Sequence, residues 1–79
     1  MNEQLTRSDI RTMARKVADY ITFNCDGVSE GFEIIHNGYM VFVDYRNDGQ
    51  TEAVTVADVW DRSGNECPEI AEVLQTMLN

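Results

Sequence analysis

One histidine, two cysteines and a surplus of carboxylates are the residues of this 79-residue chain whose chemistry could extend beyond packing. Nucleophilic catalysis needs a Ser, Cys or Thr held against a base, and His36 is the single histidine that could serve. It adjoins Asn37-Gly38, a tight-turn signal, and pairing across that turn places it opposite Tyr39. A structural imidazole packed against a tyrosine is its expected role. Cys25 and Cys67 have no Cys or His at ligand spacing near them, so neither a zinc pattern nor a redox CxxC motif forms. The polar start Met1-Asn2-Glu3-Gln4 lacks the features of an export signal, which makes reduced thiols and a cytoplasmic location the expectation.

Paired carboxylates perform acid/base chemistry when their surroundings drive their pKa values apart. Asp58 and Asp61 flank Trp60, with Glu66 and Glu69 following, and a solvated acidic surface is the expected state of this cluster. A calcium loop requires oxygen ligands at alternate positions, a central Gly and a distal Glu. The run from Asp58 to Glu69 places Trp60 at a ligand position and Gly64 one place late. The run from Asp44 has Gly49 in register but Thr55 where the Glu belongs. No glycine-rich phosphate loop leads into a helix. No catalytic residue, metal, cofactor or small-molecule substrate is therefore expected.

The elements that would position these residues are clearer. Ile10, Met13, Ala14, Val17, Ala18, Tyr20 and Ile21 recur at the spacing of one helix face, predicting a helix from about Arg7 to Asn24. Thr6 or Ser8 can cap it, with Asp9 in the first turn, and Gly27 is placed to end it. From Phe32 to Tyr45 β-branched and aromatic residues flank Asn37-Gly38, predicting a hairpin. One hairpin face then carries Phe32, Ile34, His36, Tyr39, Val41, Val43 and Tyr45. The other carries Glu33, Ile35, Met40, Phe42 and Asp44.

A third strand is expected from about Glu52 to Val59. A two-residue turn at Asp48-Gly49 would set Val54 against Val43 and Val56 against Val41, and is preferred. A three-residue turn would set both valines beside Phe42 and Met40. Pro68 opens a second helix whose stripe reads Ile70, Val73, Leu74, Met77 and Leu78. The expected fold class is α+β: one domain over residues 1–79, in α-β-β-β-α order, with a three-stranded antiparallel meander packed with two helices. A core this small makes a homodimer worth expecting. No apolar run reaches the roughly 20 residues that span a bilayer, so no membrane partner is expected.

Charge narrows the choice of partner. The chain has 14 acidic and 6 basic residues, for a net charge of −8. Arg7, Arg11, Arg15 and Lys16 leave residues 1–16 at +2, so residues 17–79 carry −10. Such a field disfavours nucleic-acid phosphates and favours cationic partners. Arg7, Arg11 and Arg15 form a ridge on the first helix, either solvated or a docking surface. Ile35, Met40 and Phe42 share one fate: core if a helix packs on each sheet face, an exposed interaction patch if both helices take the other face. The functional expectation is a small acidic intracellular protein-interaction module without catalytic activity, binding another protein or itself. The alternatives are an acidic inhibitor that imitates nucleic-acid phosphates to block a basic groove, with Asp19, Asp26, Glu30, Asp44, Glu52, Asp58 and Asp61 on one surface, or a nucleic-acid binder using the Arg ridge.

Overall fold

The computed structural model describes residues 5–79. Helix α1 (Arg7–Tyr20) starts where Thr6 adopts an extended conformation and accepts the Asp9 amide on its hydroxyl, while the Asp9 carboxylate accepts the Thr6 amide. This reciprocal cap satisfies two amides that a helix start otherwise leaves unpaired. Ile10, Met13 and Val17 are the buried side of α1. One π-helical turn (Ile21–Cys25) continues it, and the wider winding turns Cys25 inward while Phe23 faces solvent. Asp26 and Gly27 then take positive φ values of 47° and 77° and reverse the chain.

Strands β1 (Glu30–His36), β2 (Tyr39–Asn47) and β3 (Glu52–Trp60) form an antiparallel sheet in the order β1-β2-β3. Asn37 and Gly38, at φ 51° and 81°, make the two-residue turn expected of them, which sets His36 against Tyr39, Ile34 against Val41 and Ile35 against Met40. Gly38 is also needed for space, because a Cβ there would meet Cγ of Arg62 at 2.5 Å.

The third strand corrects the expected register. Asp48–Thr51 form a four-residue loop rather than a two-residue turn, because the Asp48 carboxylate accepts the amides of Gln50 and Thr51 at 2.9 and 2.8 Å and stabilises a longer reversal. Val54 therefore lies opposite Tyr45, and Val56 opposite Val43. Both stay on the expected face, displaced by two residues along β2. A register shift between Phe42 and Val43 then leaves an extra residue on β3, so that Val59 faces Val41 and Trp60 faces Met40. Without that bulge, strict alternation would put Asp58 in the core and Val59 outside.

Helix α2 (Pro68–Leu78) packs on β3 and α1, and α1 packs on β1, all on one side of the sheet. The core between the layers is built from Ile10, Met13, Val17, Ile34, Tyr39, Val41, Val43, Val59 and Leu74. Burying such side chains is worth about 1.5–3 kcal/mol each, the main favourable contribution in so small a domain. The stripe expected on α2 holds for Ile70, Leu74, Met77 and Leu78, but Val73 is exposed and Ala71 takes its place against the core. Val73 stands one helical step off the axis of that stripe, where the two-layer arrangement has no neighbour for it. No described helix is long and apolar enough to cross a membrane.

Candidate interaction face

With both helices on the first face, the second face of the sheet has no described helix or strand stacked on it. Pairing sorts its side chains into three cross-strand rows. Ile35, Met40 and Trp60 form an apolar row next to the hairpin tip. Glu33, Phe42 and Asp58 form the next, an aromatic ring between two carboxylates. Gly31, Asp44 and Thr55 form the third, with Asp44 held 3.1 Å from Arg46 Nε at the surface. Ile35 is 59% exposed, whereas Met40, Phe42 and Trp60 are half-buried by one another and their strand neighbours.

Phe42 divides two shallow depressions on this face. One, of about 380 Å³, is lined by Gly38, Met40, Phe42, Trp60, Asp61, Arg62 and Gly64. The other, of about 400 Å³, is lined by Gly31, Phe32, Glu33, Phe42, Val43 and Ala57. The loop bordering the first is built by Asp61, whose carboxylate accepts the amides of Ser63 and Asn65 at 2.8 and 2.9 Å. The Asn65 amide is the main cause holding the Asp61 carboxyl below its usual range, with burial opposing it and the Ser63 amide helping. Arg62 crosses the hairpin tip, and its Nε donates to the Asn37 carbonyl at 2.8 Å. An aromatic and methionine surface with a carboxylate on either side can bury an apolar anchor and pair a cation next to it.

Ile35, Met40 and Phe42 are thus brought together, on the alternative of the two expectations in which both helices share the other face. Trp60 joins them. Sequence reasoning missed it because alternation from Val54 and Val56 carries Trp60 to the core side, and only the bulge reverses this. The break in spacing between Val56 and Val59 was the available signal. Arg7, Arg11 and Arg15 are exposed on α1 and belong to the helical layer, away from this face.

The remaining chemical candidates have structural partners. Nε2 of His36 lies 3.2 Å from the Asp9 carboxylate, tying the hairpin tip to the start of α1. Burial is the first cause raising the thiol pKa of both cysteines, which are free; Cys25 is buried and Cys67 half-buried. The phenols of Tyr20 and Tyr45 donate to Glu30 and Glu52 at 2.6 and 2.7 Å, and those bonds are the first cause raising both phenol pKa values. Glu30 and Glu52 are thereby engaged by tyrosines of the helix side, whereas Asp44 and Asp58 belong to the open face. The seven acids of the phosphate-imitating surface are divided between the two layers. Among the described residues no three His, Cys, Asp or Glu side chains gather as a metal site would require. No protein-family model, curated protein or solved structure matches the chain.

Proposed function

We propose that the chain is a protein-binding module whose open sheet face docks a basic, apolar-anchored segment of another protein. The observation that carries this reading is the uncovered juxtaposition of Ile35, Met40, Phe42 and Trp60 with Glu33, Asp44 and Asp58. Tryptophan, methionine and phenylalanine are enriched at interface cores, and the flanking carboxylates select for lysine or arginine. A second copy is a poorer occupant. Face-to-face docking would oppose these carboxylates and two chains of net charge −8. The module acts by binding and needs no catalytic group. Its free thiols suit a reducing, cytoplasmic setting.

Selection of a random displayed-peptide library against the purified chain tests the reading. Enriched peptides should alternate Lys or Arg with aliphatic or aromatic residues, bind more weakly as salt rises, and be lost on Phe42→Glu with helical signal and cooperative unfolding retained. Should Phe42→Glu unfold the chain, Ile35→Glu replaces it, since that side chain is already mostly in solvent. Enrichment without basic residues, or binding unchanged in the folded variant, overturns the proposal.

A further inference from the structure

The two edges of the sheet are treated differently by the chain. On β3, the outward carbonyl of Val54 and amide of Val56 are both taken by the Gln75 side chain, at 2.8 and 2.7 Å. Further along, the Cys67 amide donates to the Val59 carbonyl at 2.7 Å, and Glu66 bridges Trp60. A glutamine from α2 and the returning loop thus occupy the bonding positions that another strand would use.

On β1 the tight turn makes His36 and Tyr39 a hydrogen-bonded pair, so the backbone groups of Gly31, Glu33 and Ile35 point away from β2. The Ile35 carbonyl confirms the direction by accepting Lys16 Nζ at 2.9 Å. Among the described residues, the outward amides and carbonyls of Gly31 and Glu33 have no partner. Gly31 has no side chain to obstruct a neighbour, and even a Cβ there would meet nothing closer than the Val43 carbonyl at 3.9 Å.

We propose that an extended basic and apolar segment of a partner protein adds to β1 as a fourth strand, its side chains continuing the rows of the open face. This rests on the docking reading above and supplies its geometry. A lysine or arginine would extend the row of Glu33, Phe42 and Asp58, and an aliphatic side chain the row of Ile35, Met40 and Trp60. Backbone bonds provide affinity and the two rows provide selectivity. Glu33 also disfavours the obvious wrong partner, because a two-fold pairing of β1 centred there would set it against its own copy.

The probe is the peptide Thr-Ile-Thr-Lys-Thr-Ile-Thr-Lys-Thr, which places Ile and Lys two residues apart on one strand face, measured by titration calorimetry against the intact chain. Two isomers are compared, one N-methylated at every Ile and Lys and one at every internal Thr, since alternate amides point to opposite edges of a strand. One isomer should lose about tenfold or more in affinity while the other binds as the parent does. Equal binding of the two isomers, combined with loss on Phe42→Glu or Ile35→Glu, overturns strand addition alone and leaves face docking standing. Binding of the parent that is insensitive to both face variants, or no binding at all, overturns the docking reading and the strand with it. A chain that sediments as a dimer without peptide, and as a monomer after Ile35→Glu, overturns the choice of occupant.

Discussion

The two faces of the sheet come from the same three strands and end in different solvents. On the helix-covered face Val41, Val43 and Val59 are almost wholly buried, in one cluster with Ile10, Met13 and Val17 of α1 and Leu74 of α2. On the other, side chains of comparable hydrophobicity have no helix over them, so that Ile35 is exposed and Met40, Phe42 and Trp60 stay half-buried. Apolar character is thus a poor guide to burial in a two-layer domain with two helices. What separates core from surface is which side the connections deliver the helices to. The edges repeat the lesson, since β1 and β3 both lie outermost, but Gln75 and the Glu66–Cys67 segment occupy the backbone of β3 whereas on β1 Lys16 takes the Ile35 carbonyl and leaves Gly31 and Glu33 without a partner among the described residues.

The contrast between faces breaks most visibly by truncation. Leu74→Ala, on the covered side, should lower stability by about 2–5 kcal/mol, a large part of the 5–15 or so available to a typical domain. Ile35→Glu on the open side should remain within about 0.5 kcal/mol of the parent. Urea midpoints measured on both proteins check the pair, and equal losses would mean that the open face is packed in solution.

A smaller effect is expected at the sealed edge. Gln75→Ala leaves the Val54 carbonyl and Val56 amide without their side-chain partner, at a cost of about 1–3 kcal/mol. Hydrogen exchange at the Val56 amide should accelerate in the variant, while exchange at the Gly31 and Glu33 amides stays fast in both proteins. Protection at Gly31 and Glu33 in the parent would erase the difference between the edges.

The smallest effect concerns the tie between the helical layer and the hairpin tip. The Thr6 amide, then His36 and the Thr6 hydroxyl, hold the Asp9 carboxyl below its usual range. A folded pKa below the unfolded one means stability that is fully present above the unfolded value, about 3.9, and is lost as pH falls through the folded value. Thermal midpoints should therefore decline below about pH 4, and Asp9→Asn should flatten that decline. Asp48 and Asp61, lowered by the amides of their own loops, retain their share of it in the variant.

Much of the architecture was legible in the residues themselves. The period of Ile10, Met13 and Val17, a cap at Thr6 or Ser8 with Asp9 in the first turn, the Asn37-Gly38 turn and Pro68 specify the elements locally, through backbone preferences that act over a few residues. The pairing of Ile35 with Met40, and their common face with Phe42, followed from the turn alone. Beyond that the outcome depended on distant parts of the chain. Whether Ile35, Met40 and Phe42 were core or surface was decided by where α1 and α2 packed, a competition among contacts far apart in sequence. The bulge that exchanged Val59 for Trp60 is the same kind of decision, since an unpaired residue in β3 is tolerated when it lets a valine reach Val41 and Leu74 in the core and keeps Asp58 in water. The closing of one edge and the opening of the other needed Gln75 to arrive beside Val54 and Val56, which only the docked second helix could bring about.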